Sequence, residues 1–162
     1  LSLAVCLGYG AAALVTVWFD AEAMAGLASL WRLIWTSVLL GATFLGAGYA
    51  LSGLARRPSG AAGLAIALWL MAVVLYDLGL LALIVTDQGG TFTTKALPIA
   101  LLANPADAFR VFNLSAAAAV SAAGGIGGAA NAIPLWQSAA SLLLWPVASV
   151  LMATAIFRRV TP

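Results

Sequence analysis

The chain contains no histidine and a single cysteine, Cys6. Without a second thiol, no disulfide can close within it. Without imidazole or thiol clusters, the ligand sets that usually hold haem, copper or structural zinc are missing. The absence of histidine also removes the base that a membrane serine protease places beside its nucleophile. The three methionines, Met24, Met71 and Met152, are far apart in sequence. There is no glycine-rich phosphate loop of the Walker type, so nucleotide binding by that route is excluded. No catalytic, cofactor-binding or metal-binding constellation is expected in this chain.

Charge is scarce as well. Only 7% of residues are charged, against about 25% in a soluble domain, while 64% are hydrophobic and the mean hydropathy is +1.10. This is the composition of an integral membrane protein. The net charge of +2 does not point to nucleic acid, because the basic residues cluster at the ends of apolar blocks. Membrane topology explains that placement.

Four spans are predicted: Leu1 to Trp18, about Leu27 to Gly53, about Ala61 to Val85, and about Pro134 to Phe157. The last three exceed the roughly 20 residues that cross the hydrocarbon core. The chain opens on Leu1 inside an apolar run, with no initiator Met and no basic leader, so it is expected to be a fragment that begins at a membrane helix. Arg56-Arg57 precede Pro58-Ser59-Gly60, and Arg158-Arg159 stand near the end, neither pair with an acidic companion. The positive-inside rule places both on the cytoplasmic side. Phe19 to Gly26 and the stretch from Thr86 to Ile133 then lie outside, with Trp18, Phe19, Trp31, Trp35 and Trp136 marking the outer boundary.

The outer stretch has its own structure signals. Ala96 to Ala103 is apolar but too short to cross. Asn104 is a suitable N-cap, Pro105 suits the first helical position, and Asp107 falls in the first turn, where a carboxylate complements the helix dipole. A helix from about Pro105 to Ala123 is predicted, ended by Gly124-Gly125 and Gly127-Gly128. The expected fold is all-α. One polytopic transmembrane domain covers residues 1–162, with four transmembrane helices and an outer re-entrant or interfacial helical hairpin at about residues 96–130.

Asp77 is the one carboxylate well inside a span, so the paired carboxylates of a membrane aspartyl protease are absent. A charge there costs about 2.5–3.5 kcal/mol on insertion scales, so it needs a partner or a wet path. By helix rise Asp77 lies roughly 26 Å, and Arg32 about 31 Å, from the inner turn between their antiparallel helices. An Arg32–Asp77 pair is therefore expected, fixing helix packing or marking a transport route. Arg110 and Asp107 carry two readings. They either gate an outer cavity or touch a partner, or else Asp107 caps its helix and Arg110 bonds back to it or to a lipid phosphate. Phe109 belongs to the same outer motif. Ala42, Gly46 and Ala50 form a small-residue stripe that permits close helix approach. Pro146 predicts a kink in the last span, while Trp69 and Trp145 are read as packing residues.

Three passages carry a family resemblance: Leu75-Tyr76-Asp77-Leu78, Ala103-Asn104-Pro105-Ala106-Asp107-Ala108-Phe109-Arg110, and Phe157-Arg158-Arg159. With the spans and the outer hairpin, they resemble the membrane half of ABC-2-type exporters. Within that family they resemble the NosY-type permeases that serve maturation of periplasmic nitrous oxide reductase. The resemblance extends over most of the chain, and Asn-Pro-x-Asp-x-x-Arg is its one fairly specific motif. It implies a six-helix permease of which helices three to six are visible, forming a homodimer in the bacterial inner membrane. Two cytoplasmic ATPase subunits would bind ATP and Mg, so the chain itself would not be an enzyme. A periplasmic accessory protein is the further partner implied. The implied cargo is a sulfur species or another component of the reductase's copper–sulfur centres. With no His, one Cys and scattered Met, a copper conduit is disfavoured. Export of a lipid, drug or peptide on the same architecture, or a non-transporting scaffold for a periplasmic assembly factor, are the rival expectations.

Overall fold

The computed structural model describes residues 2–19, 27–55, 57–115 and 133–160. All regular structure among them is helical. The apolar blocks are rich in Ala and Leu, strong helix formers, and an isolated backbone inside lipid can satisfy its polar groups only as a helix. Helix α1 is Ser2–Phe19 and α2 is Leu27–Leu54. Helix α3 runs through three consecutive segments, Pro58–Leu70, Met71–Leu75 and Tyr76–Asp87. The middle segment is a π-turn, in which the Tyr76 N–H reaches back five residues to the Met71 carbonyl. Three stretches are long and apolar enough to cross a membrane: Ser29–Leu54, Ser59–Asp87 and Leu135–Arg159. The first expected span is helical too, but its apolar stretch, Leu3–Val15, is shorter.

Beyond α3 the chain reverses. Gln88 takes the left-handed conformation (φ 47°) and caps the helix, followed by Gly89 at φ 83°. Asp87 holds the turn: its carbonyl accepts the Gly90 N–H at 2.9 Å and its carboxylate the Thr93 N–H at 2.7 Å. Helix α4 then starts with a second π-turn, Phe92–Ala96, and continues as Leu97–Ala103. Pro98 has no N–H to donate and would crowd the carbonyl four residues back, which favours a widened turn there. Asn104 ends α4 in an extended conformation (φ −115°, ψ 127°). The following proline imposes this, because it disfavours helical backbone in the residue before it. Helix α5 is Pro105–Ser115 and α6 is Leu135–Val160. The expected continuation of α5 to Ala123, its glycine stop, the Phe19–Gly26 loop (Phe19 itself apart) and Arg56 lie outside the described residues.

The frame is the pairing of α2 with α6. Small residues line their contact: Thr43, Gly46 and Ala50 on α2 meet Ser149 and Ala153 on α6, all buried. A Cβ on Gly46 would sit 2.5 Å from Ser149 Oγ and 3.2 Å from its backbone carbonyl carbon. Gly46 and Ala50 of the expected stripe thus serve this intramolecular contact. The hydroxyls of Thr43 and Ser149 donate to carbonyls of their own helices at 3.0 and 2.9 Å, so neither is left bare in this contact. One of those acceptors is the carbonyl of Pro146, inside α6. Helix α1 packs on α2, the inner half of α3 also packs on α2, and α5 lies against α2, α6 and the π-turn of α3.

Gly46→Ala is expected to lower the unfolding free energy by about 1–3 kcal/mol through overpacking. Gly48→Ala has open space around its new Cβ and should be neutral or slightly stabilising. Thermal unfolding of the two variants in detergent measures the contrast, and equal values would contradict the close α2–α6 approach.

Candidate functional site

Helix α4 returns antiparallel along the outer half of α3. Two hydrogen bonds set the register: the Tyr76 hydroxyl donates to the Ala100 carbonyl at 2.8 Å, and Asn104 Nδ2 donates to the Ala72 carbonyl at 2.6 Å. An apolar seam of Leu80, Leu97, Leu101, Val111 and Ile133 packs alongside. Ala72 stands roughly 22 Å from the Asp87 end of α3 at about 1.5 Å per residue. The break at Asn104 is therefore deep, level with the middle of the long helices.

Asn104 is 3% exposed, and its polar groups are well partnered. Its Oδ1 accepts the Ala106 N–H at 3.1 Å and its carbonyl accepts the Ala108 N–H at 2.9 Å, which makes it the expected N-cap of α5. Its Nδ2 serves both the Ala72 carbonyl and Asp107 Oδ2, the latter at 2.9 Å. Capping and anchoring are thus one residue's work. Asp107, at the third helical position, accepts from the side-chain amide of the cap and so fixes its rotamer.

The other oxygen of Asp107 accepts from Arg110 Nη1 at 3.1 Å. The same Nη1 donates to Asp77 Oδ2 on α3. Both carboxylates therefore converge on one guanidinium nitrogen. The Asp107 side chain is 3% exposed, whereas those of Arg110 and Asp77 are 34% and 39% exposed. The triad has a buried end on α5 and an open end on α3. The expected return bond from Arg110 to Asp107 is present, and the bond to Asp77 adds a link between helices.

This arrangement corrects the Arg32–Asp77 pairing. Arg32 Nη2 reaches Ser29 Oγ on its own helix at 3.4 Å, while Asp77 is taken by Arg110. The reason is that α5 lies against both α2 and the π-turn of α3, and brings a nearer cation to the same depth. Arg32 is instead linked to α5 through Thr36. The Thr36 hydroxyl donates to the Arg32 carbonyl at 2.8 Å and accepts from Asn113 Nδ2 at 3.1 Å. Pro105 is buried at the first position of α5, and Phe109 packs beside Ala108, Phe112 and Leu142. Trp35 meets Phe112 edge to face, with ring centroids 5.4 Å apart.

Below the tip is a cavity of about 480 Å³, lined by Met71, Ala72, Tyr76, Asn104, Trp145 and Met152 among others. It lies between α2, α3 and α6, with the α4–α5 break at one side. Sequence separation concealed that Met71 and Met152 share this cavity. Trp145 is a lining residue as well as a packing one, and Trp69 is half-exposed beside a groove between α2 and α3.

A double-mutant cycle should find Asp77 coupled to Arg110 by roughly 0.5–3 kcal/mol, and to Arg32 by nothing measurable. The partial exposure of both side chains favours the lower part of that range. Chemical unfolding of the Asp77→Asn, Arg110→Leu, Arg32→Leu and paired variants in micelles supplies the values. Coupling of equal size to Arg32 would contradict the arrangement.

Residues 1–161 match the family model described as ABC-2 family transporter protein. The chain is 42% identical over 163 residues to a protein of Pseudomonas aeruginosa described as a probable ABC transporter permease protein NosY, covering 98% of this chain and 58% of that relative. It is 40% identical over 166 residues to a protein of Stutzerimonas stutzeri with the same description, covering 98% of this chain and 59% of the relative. It thus spans a little under three fifths of the length of these curated relatives. With its helices long and apolar enough to cross a bilayer, and with this match along nearly its whole length, the chain belongs to the ABC-2 family of transporter proteins.

Proposed function

We propose that the chain forms the greater part of the transmembrane subunit of an ABC exporter that serves maturation of the copper–sulfur centres of periplasmic nitrous oxide reductase. The observation that carries the export reading is the cavity of about 480 Å³ at mid-depth, bounded by the tip of a charge-locked hairpin. The similarity to permeases described as NosY supports the narrower role. In this reading four helices span the bacterial inner membrane as one domain, and α4–α5 re-enters from the periplasmic side. The subunit works as a homodimer with two cytoplasmic ATPase subunits that bind ATP and Mg, and with a periplasmic accessory protein. The chain itself contributes no catalysis. The cargo is a sulfur species or another component of the reductase's centres.

The physical logic follows from depth. A non-helical break inside hydrocarbon is tolerated only where protein satisfies it or water reaches it, and Asn104 supplies the first condition. The Arg110–Asp77 link ties the hairpin to α3 while α5 also packs on α2 and α6, so relative movement of α3 against that frame would act on the hairpin between them. ATP-driven rocking of the helices would then widen or close the cavity's outer end. Asp77 and Arg110 act as the outer lock, Asn104 and Asp107 build the element that carries it, and Thr36 of α2 positions α5 through Asn113.

Reductase maturation in cells carrying full-length permease with Arg110→Glu is expected to fall to the level of a strain lacking the permease. Arg110→Glu paired with Asp77→Arg should recover part of it. The measure is the copper–sulfur content of purified reductase, alongside recovery of the ATPase with the permease from the membrane. Wild-type maturation with Arg110→Glu would remove the lock from the mechanism.

A further inference from the structure

The π-turn of α3 and the tip of the hairpin meet at one carbonyl. In a plain α-helix the Ala72 carbonyl accepts the N–H of Tyr76, four residues on. Here that N–H is spent on Met71, five residues back. Asn104 Nδ2 stands in its place on Ala72, at 2.6 Å. The widened turn thus offers a carbonyl that has lost its usual donor, and the hairpin supplies a substitute. Without Asn104 that carbonyl would lack this donor beside apolar side chains such as Leu68 and Met71, which is costly. Without the widened turn, the amide would meet an acceptor already in use. The turn also sets which face α3 presents to the hairpin. The inner half of α3 packs on α2, whereas Tyr76, Asp77, Leu80 and Ile84, which meet the hairpin, all lie beyond the turn. One residue of an α-helix spans about 100°, so the extra residue held in the turn offsets the outer half by that angle.

We infer that Asn104 and the π-turn form a two-state register switch in α3. While the hairpin is seated, Asn104 holds Ala72 and the turn stays wide. When the tip withdraws, the Tyr76 N–H passes from the Met71 carbonyl to the Ala72 carbonyl. Closure hands each N–H of the turn to the carbonyl four residues back, and the outer half of α3 rotates by about 100° against the inner half. A side-chain end about 5 Å from the helix axis travels about 8 Å in such a rotation, far more than a hydrogen bond can stretch. Asp77 therefore leaves Arg110, Tyr76 leaves the Ala100 carbonyl, and Leu80 leaves the seam with Leu97 and Leu101. The three polar links of the hairpin are made or broken as one set. Such a switch is separate from the export role and requires no particular cargo.

The test is cryo-electron microscopy of the full-length permease with its ATPase in lipid nanodiscs. The samples are the wild type, Asn104→Ser, a deletion of Val74, and the two changes combined. Serine can still cap α5, but its shorter side chain carries no amide. Deleting Val74 turns the Tyr76–Met71 bond into an ordinary four-residue one, so the outer half keeps its face with no widened turn. Asn104→Ser is expected to close the turn, rotate the outer half by about 100° and part Asp77 from Arg110. The deletion, alone or with Asn104→Ser, should keep Asp77 on Arg110 in a plain α-helix, and should restore assembly if Asn104→Ser alone loses it. A wild-type α3 that runs as plain α-helix under a seated hairpin overturns the switch without any variant. So does a wide turn that persists in Asn104→Ser. Loss of assembly or of the Asp77–Arg110 pair in either deletion variant overturns it as well. Backbone register is read without transport, so this failure is distinct from failure of the export reading.

Discussion

The hydrogen bond from Asn104 Nδ2 to the Ala72 carbonyl is the interaction on which the seating of α4 and α5 depends. A chain that turns back midway along a long apolar helix must break its own helix there, and the break frees polar groups that need partners. Asn104 answers with both ends of one side chain. Its oxygen caps α5, and its nitrogen ties the turn to α3 and to Asp107. An aspartate could cap the helix equally well, but an ionised carboxylate could not donate to a carbonyl. The requirement for a donor and an acceptor in one short side chain selects asparagine. Pro105 then ends one helix and begins the next in a single step.

The charged triad is a consequence of that anchor. Arg110 lies roughly 9 Å along α5 from Asn104, and Asp77 roughly 7.5 Å along α3 from Ala72, at about 1.5 Å per residue. Once the tip is pinned to Ala72, the two side chains must arrive at one level. Asp107, fixed by the cap, aims the guanidinium from below. The π-turn at Met71–Leu75 falls at this same level. Such widened turns occur within α-helices, often at functional sites, and here one lies where the hairpin tip docks.

Much of this was legible in the residues. The helices, the cap at Asn104, the start of α5 at Pro105 and the Asp107–Arg110 contact follow from local rules that act within one turn. The partner of Asp77 did not. Depth along neighbouring spans nominated Arg32, because the descent of the hairpin was not in the calculation. Taking the short apolar run before Asn104 as a descending arm would have placed Arg110 at the level of Asp77. The π-turns and the shared cavity of Met71 and Met152 carry no local signal, since both arise from how separate helices are seated. The Gly46–Ser149 contact lies between these cases: its small residues were visible in an alanine-rich chain, but not the helix that they face.

The packing divides the described residues into two sets. Helices α2 and α6 meet through glycine, alanine and hydroxyl side chains that leave no slack, and overpacking there is costly. Helices α4 and α5 are tied to the outer half of α3 by three polar links, from Tyr76, Asn104 and Arg110, with apolar packing between them. Between the two sets lie both the cavity and a packed contact, where Ala108 and Phe112 of α5 meet Leu142 of α6 and Trp35 of α2. Met71 and Met152 are among the side chains around the cavity, and methionine adapts readily to changes in spacing. The polar links hold the hairpin to α3, and the adaptable lining separates α3 from the α2–α6 frame. The hairpin is therefore held from both sides, by Asn113 to Thr36 on α2 and Ser141 of α6 to the Leu102 carbonyl as well as by its links to α3. The cavity thus has one wall that is braced to α3 by polar links and to the α2–α6 frame by aromatic and aliphatic packing.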